Sequence, residues 1–364
     1  SLVLLARVKE LNDAMWNALH HHRSLRWLTI NLPPSTLRMP LVSLYPLLQR
    51  LHGLDLRGDW YEREGEHMGD QQPWAMLELS IKKQDLNLAV YCPRLQVVRL
   101  RPHQSQDNTP FSLAPIKSCP QLCQLWVEET SPHQTMTDVK ESLVSCHMLQ
   151  VLSINIGLQE QADFLSLFTD TDPSTMPLPP LSTLNVTFLS AHAHLEQRLQ
   201  QLIIGALQSR HHLRALKIER ISIDPVFFFT SSDSGAQADW NAKLETLQLQ
   251  FLFRDASSDE SKKEAWRAFY AKVGQCACLE ALTITCSGIN LGSMEGIHQM
   301  NTATALKELT LIDSGRQFWS EDDVTTLLEA CPYLDTLNLT PFNSYNRNII
   351  KGVLNLLGRE TICL

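Results

Sequence analysis

The 364-residue sequence holds few residue combinations that could do chemistry. His194 and Glu196 form an H-x-E pair, but no P-C-x-x-C follows them, which excludes a zinc deaminase. Asp170 and Asp172 form a D-x-D pair in a proline-rich stretch without a nucleotide-binding motif, and we interpret them as a solvated turn. P-loop, dinucleotide-binding, serine-hydrolase and zinc-protease motifs are missing from the sequence. We therefore predict a protein that is not an enzyme and needs no cofactor or metal.

Five of the nine cysteines recur at one position of a repeated phrase, three residues before a leucine. These cysteines are Cys92, Cys119, Cys146, Cys276 and Cys331. Cys123 and Cys278 lie close to two of them, but a recurring position indicates stacked, buried side chains rather than metal ligands. A disulfide scaffold is typically short and rich in loops, unlike this chain. We expect reduced thiols and a cytoplasmic or nuclear protein.

The repeated phrase is C-P-x-L-x-x-L-x-L, which reads as a helix end, a turn and a short strand. It occurs at residues 92–100, 119–127 and 331–339, with a looser copy at 146–154. Twelve strand phrases align on a middle apolar residue, with spacings of 21 to 35 residues. These middle residues are Leu28, Leu54, Leu77, Val98, Leu125, Leu152, Leu184, Leu216, Leu247, Leu282, Leu309 and Leu337. Recurrence at such intervals indicates a leucine-rich-repeat solenoid.

Helical patterns lie between the strand phrases and finish at the cysteine position. We expect helices over residues 13–22, 137–146, 195–209, 261–276 and 322–331, and single turns over 84–91 and 111–118. Ser320 can cap the last of these helices, with Asp323 at the capping-box distance. The chain has no initiating Met and opens in what we interpret as an apolar helix, so we expect truncation at both ends.

The sequence thus predicts an α/β fold: one solenoid domain over residues 1–364 with about 12 irregular repeats. A curved parallel sheet would form the concave side and helices the convex side. The net charge of −8 does not favour a nucleic-acid partner, and no apolar run is long enough to span a membrane.

Side chains between the strand leucines should point to the concave face, since strand residues alternate sides. We select six of them as the candidate partner-binding residues, because Arg and Trp are enriched in binding hot spots. They are Arg57, Arg99, Arg101, Trp126, Glu128 and Lys217. Two alternatives stay open at this point: an ordinary solvated sheet face, and binding by the long loops that follow the strands on one rim.

The C-P-x-L-x-x-L-x-L phrase resembles the cysteine-containing leucine-rich repeats of F-box proteins, within the ribonuclease-inhibitor-like superfamily. The irregular repeat lengths are most similar to those of the large fungal sets. This resemblance implies the substrate-binding region of a ubiquitin-ligase receptor, with a Skp-type adaptor only if an F-box lies outside this chain. The sequence before Leu25 has room for one helix and shows no F-box. The alternative is a stoichiometric enzyme inhibitor or GTPase regulator of the ribonuclease-inhibitor-like type.

Overall fold

Alternating apolar residues form strands that pair in parallel. The computed structural model of the chain describes residues 2–4, 13–31, 39–40, 44–57, 60–61, 74–101, 111–127, 136–156, 164, 181–188, 212–221, 243–252, 260–287, 296–302, 305–313, 319–340 and 348. The chain divides into two compact units, Ser1–Pro179 and Pro180–Leu364, called the first and second units below. Each unit combines a parallel sheet with helices, so the predicted α/β class is confirmed.

The first unit carries its main-sheet strands in chain order. Its elements are β1 (Leu2–Leu4), α1 (Asp13–His21), β2 (Trp27–Asn31), β3 (Met39–Pro40), α2 (Tyr45–Leu48), β4 (Gly53–Arg57), β5 (Trp60–Tyr61), β6 (Glu78–Lys82), a 3₁₀ helix (Lys83–Tyr91), β7 (Val97–Arg101), β8 (Phe111–Ser112), a 3₁₀ helix (Ala114–Ser118), β9 (Gln124–Val127), β10 (Met136–Thr137), α3 (Val139–Ser145) and β11 (Val151–Ile156). The main sheet runs β1-β2-β4-β6-β7-β9-β11, and each neighbouring pair is parallel. Strands β3 with β5, and β8 with β10, form two short parallel ladders.

The second unit follows the same plan over its described residues. Its elements are β12 (Thr183–Phe188), β13 (Ala215–Ile221), β14 (Thr246–Leu252), α4 (Glu260–Gly274), β15 (Ala281–Ser287), a 3₁₀ helix (Ile297–Thr302), β16 (Glu308–Asp313), α5 (Glu321–Ala330) and β17 (Thr336–Thr340). Each strand pairs in parallel with the next one along the chain. The middle leucines predicted for this unit, Leu184 to Leu337, stand in register across all six strands.

The first three residues of the described chain correct one prediction. We expected residues 2–4 to begin an apolar helix, but they form β1, with Leu2 opposite Leu28 of β2. A run of three apolar residues fits both the helical and the strand periodicity, and pairing with the neighbouring strand selects the extended form. Among the other predicted helices, 195–209 lies outside the described residues.

The third strand phrase has a different register from the predicted one. Leu79, rather than Leu77, stands between Leu54 and Val98 in the ladder. The buried first position of this phrase is Met76, two residues after Trp74. Alternate residues are apolar here, so frames beginning at Trp74 and at Met76 both match the pattern. The observed frame buries more apolar surface, because Leu77 is only half-buried.

None of the helices in the described ranges combines the length and the apolar character that a membrane-spanning helix needs.

The predicted cap of α5 is confirmed. The Asp323 amide donates to Ser320 Oγ at 3.1 Å, and the Ser320 amide donates to Asp323 Oδ2 at 3.0 Å. We expect Ser320→Ala to lower the free energy of unfolding by about 1 kcal/mol, because the Asp323 amide loses its acceptor. Chemical denaturation measures the change, with the exposed Glu329→Ala on the same helix as a control. Equal stabilities of the two variants would contradict the capping role.

The recurring cysteines are buried and free, as predicted. The Cys92 thiol donates to the Leu88 carbonyl at 3.4 Å, and the Cys146 thiol to the Ser142 carbonyl at 3.3 Å. Burial raises the pKa of Cys146 to about 11. Burial, with a smaller contribution from the neighbouring Cys146, raises the pKa of Cys119 to about 12. These thiols stay protonated at neutral pH and serve as core residues.

Thiol labelling should distinguish the buried cysteines from the exposed Cys278. We expect iodoacetamide at neutral pH to modify Cys278, which is exposed, and to leave Cys119 and Cys146 unmodified, because a buried protonated thiol is a poor nucleophile. Peptide mass spectrometry identifies the modified sites, and labelling in denaturant provides the control in which every site reacts. Rapid labelling of Cys119 in the native protein would contradict the described burial.

Candidate functional site

The first unit presents a straight row of side chains on the exposed face of its main sheet. The row takes one residue from each of six neighbouring strands: Thr29, Asp55, Ser80, Arg99, Trp126 and Ser153. The leucines and valines on either side of each of these positions are buried, so the row lies on the face opposite the apolar core. With neighbouring strands about 4.8 Å apart, the row is about 24 Å long.

Two further rows flank this one on the same face. Two residues later on their strands come Arg57 on β4 and, in register with each other, Lys82 and Arg101. Two residues earlier come Trp27, Gly53 and Glu78, in register with one another. Arg57, Arg99, Arg101 and Trp126 are therefore brought together in one patch.

Arg101 is held inside the patch by one partner on the adjacent strand β6 and one on the next strand, β4. Its Nε donates to Ser80 Oγ at 3.0 Å, and its Nη2 lies 3.2 Å from each carboxylate oxygen of Asp55. Arg57 reaches the same carboxylate, with Nε 3.2 Å and Nη2 3.0 Å from Asp55 Oδ2. Two arginines thus share one carboxylate. The Arg101 and Asp55 side chains are 23% and 20% exposed, so solvent screens this ion pair only in part.

Arg99 is more exposed than Arg101 and has weaker contacts. Its side chain is 47% exposed, and its Nε lies 3.9 Å from Glu78 Oε1, a long ion-pair contact. Its guanidinium carbon is 5.8 Å from the centroid of the Trp126 ring, in the range of a cation–π interaction. Among the described residues Arg99 donates no hydrogen bond. Its donors therefore have no acceptor among the described residues and lie beside an aromatic ring.

Trp27 closes the opposite end of the patch. Its ring lies against Gly53, where an added Cβ would be 2.1 Å from a ring carbon, so glycine makes room for the ring. Trp27 is nevertheless 41% exposed. An open depression of about 190 Å³ lies beside the Trp27 ring, lined by Trp27, Leu28, Thr29, Gly53, Leu54, Asp55, Arg57, Glu78, Ser80, Arg99 and Arg101.

The remaining two candidate residues are placed elsewhere. Glu128 lies outside the described residues. Lys217 belongs to the second unit, where its Nζ pairs with Glu219 Oε1 at 2.8 Å on the same strand. Burial tends to raise the pKa of Glu219, but hydrogen bonds from Lys217 and Thr187 outweigh it and lower that pKa overall. Lys217 thus forms an ion pair with Glu219 on its own strand.

Four residues of the patch were not among the predicted site residues: Asp55, Ser80, Glu78 and Trp27. Ser80 was missed because the register of the third phrase was two residues off, which placed Glu78 in the central row instead. The apolar Met76 before it is the signal that gives the correct frame. In the described part of the chain, no group of three or more His, Cys, Asp or Glu side chains is arranged to hold a metal ion.

The patch can bind a partner through arginine donors and aromatic faces, while its two carboxylates are both in contact with arginine. Comparison with known proteins adds no assignment to this geometry: no protein-family model matches the chain, and no curated protein matches it.

Proposed function

We propose that the chain is a protein-recognition module, and that it binds its partner on the exposed sheet face of the first unit. The observation that carries this proposal is the pair of Arg99, which is 47% exposed, and Trp126, which is partly buried and lies beside it on the adjacent strand. Arginine and tryptophan are the residues that most often dominate the binding energy of protein interfaces. A flat face with a few such anchors suits a protein surface better than an enclosed small-molecule site.

A non-enzymatic role follows from the chemistry of the same patch. The residues that line the depression include no histidine and no cysteine, and Asp55 accepts hydrogen bonds from two arginines. Recognition rather than catalysis is therefore the function that we propose.

The proposed architecture is a leucine-rich-repeat solenoid of about 12 irregular repeats forming one domain over residues 1–364. Two features support it: parallel strands that pair in chain order within each unit, and cysteines buried at one recurring position. By resemblance, the module would bind the substrate of an F-box-type ubiquitin ligase in the cytoplasm or nucleus. The adaptor-binding F-box would then lie outside this chain.

Affinity capture from cells tests the proposal with variants that leave the fold intact. The gene product carrying Arg57→Ala and Arg99→Ala is compared with the parent, because both side chains are nearly half-exposed. The control carries Arg214→Ala and Lys307→Ala, two exposed cations of the second unit that also pair with glutamates. We expect one captured protein to be lost with the first variant and retained with the control.

The identity of the captured proteins separates the two candidate functions. A Skp-type adaptor captured with every version, beside the lost protein, would support the ligase receptor. A single enzyme captured without an adaptor would favour the alternative, a stoichiometric inhibitor or GTPase regulator. If the Arg57 and Arg99 variant captures everything that the parent captures, this face is not the binding site and the proposal is wrong.

A further inference from the structure

The charge balance of the depression gives the chemistry of the partner segment. Among the described residues three arginines and two carboxylates line it, and Lys82 lies beside Arg101 on the next strand, so positive charges outnumber negative ones. The whole chain, in contrast, has a net charge of −8. The site is therefore a local cationic spot on an acidic protein, and an acidic segment of a partner would be attracted to this spot and repelled by much of the remaining surface.

The hydrogen bonds show which arginine can receive such a segment. Arg101 is committed to Ser80 and Asp55, and Arg57 shares Asp55. Arg99 has only the 3.9 Å contact with Glu78 and the face of Trp126 among the described residues. A guanidinium that stacks on an aromatic ring keeps its in-plane N–H groups available, and these match the two oxygens of a carboxylate.

The two carboxylates of the site distinguish between two anionic groups. A carboxylate carries one negative charge, so Asp55 and Glu78 repel it less than they repel a group of higher charge. A phosphorylated side chain carries about −1.5 to −2 at neutral pH, and it would lie close to Asp55 and Glu78, where repulsion offsets part of the attraction. The carboxylates of the site thus favour an aspartate or glutamate side chain over a phosphorylated one.

Trp27 supplies a second contact at a definable distance. It stands three strands away from Arg99 and two residues earlier in register. With a strand spacing of about 4.8 Å and a rise of about 3.3 Å per residue, the two positions are about 16 Å apart, which an extended segment spans in about five residues. The exposed ring of Trp27 suits a large apolar side chain.

We infer that the first unit binds an extended segment of its protein partner with a carboxylate on Arg99 and a large apolar side chain on Trp27. This inference rests on the proposed function and names the chemistry of its partner. The segment carries an aspartate or glutamate about five residues from a large apolar residue. Arg101 orders the site without contacting the segment's carboxylate.

Selection from a displayed library of random 12-residue peptides tests this inference on the full chain. We expect the enriched peptides to share an acidic residue and a large apolar residue about five positions apart. Selection on Arg99→Gln should lose the acidic preference, selection on Trp27→Ala should lose the apolar one, and Arg214→Ala should retain both. A synthetic peptide from the selection should bind Arg99→Gln at least about tenfold more weakly than the parent protein. Changing its own glutamate to glutamine should weaken binding similarly.

Several outcomes would overturn the inference. They are the absence of any enriched peptide, enrichment of peptides without an acidic residue, equal binding to the parent and Arg99→Gln, and tighter binding after the acidic residue is replaced by phosphoserine. Circular dichroism of Arg99→Gln provides the folding control. If the cellular partner is still lost with the Arg57 and Arg99 variant while the selected peptides are not acidic, the proposed function stands and this inference alone is wrong.

Discussion

Replacing Trp266 with alanine is expected to lower the free energy of unfolding of the second unit by about 3–5 kcal/mol, the usual cost of truncating a buried tryptophan. The Trp266 side chain is 1% exposed and lies within an aromatic cluster on α4 and β14. Its ring centroid is 5.4 Å from Phe251, 5.5 Å from Phe269 and 5.7 Å from Tyr270. Truncation removes these contacts and leaves a cavity between the helix and the sheet.

Denaturant unfolding followed by circular dichroism measures this effect. Trp27→Ala is the matched control, because it deletes the same side chain from a position that is 41% exposed. We expect the control to lower the free energy of unfolding by about 1–2 kcal/mol, less than Trp266→Ala, because part of its surface is already exposed and no closed cavity is left. Equal losses for the two variants would contradict the described core of the second unit.

Arg101→Ala is the second substitution for which we expect a large effect. Its loss of stability should differ from that of Arg99→Ala, although the two arginines have similar positions in the sequence. Removing Arg101 takes away one of the two cationic partners of Asp55 and the donor to Ser80. Both ionic side chains are about four-fifths buried, so we expect a loss of about 1–3 kcal/mol in the free energy of unfolding. Arg99→Ala removes a half-exposed side chain with a 3.9 Å ion pair, and we expect a loss below about 0.5 kcal/mol.

Denaturant unfolding of both variants checks this contrast. Asp55→Asn provides a further comparison, because it removes the carboxylate and should reduce the cost of losing Arg101 in a double-mutant cycle. If Arg99→Ala proves as destabilising as Arg101→Ala, the division into an ordering arginine and a contacting arginine is wrong. Binding experiments on the two variants could not then be interpreted separately.

Much of the sheet could be predicted from the sequence because one phrase recurs with its leucines and cysteines in fixed places. The middle leucines of the second unit stand in register as aligned, and the recurring cysteines are buried. The predicted strand register was wrong where the sequence pattern fits two registers equally well. Alternating apolar residues around Met76 and Leu79 permit two frames, and burial of the third strand selects one of them.

The sequence could predict which candidate residues share one face of the sheet. It could not predict which of them contact one another. Alternation along strands brings Arg99, Arg101 and Trp126 to one face, as expected. Which arginine forms the ion pair with Asp55 depends on how far its side chain extends across the sheet. Arg101 extends across β6 to Asp55, 46 residues earlier in the chain, and no local pattern reports such a contact. The pairing of Lys217 with Glu219 was readable, since residues two apart on a strand share a face.

Site-specific photo-crosslinking tests the central claim most directly. A benzophenone-bearing residue replaces Gln124, which lies on the same strand and face as Trp126, in the intact gene product. The comparison position is Arg94, exposed in the turn after Cys92. The proposal predicts that irradiation in cells attaches the partner at position 124, that nothing is attached at position 94, and that Arg99→Gln abolishes the crosslink. Attachment at position 94 alone, or a crosslink at 124 that is unaffected by Arg99→Gln, would contradict recognition by this face.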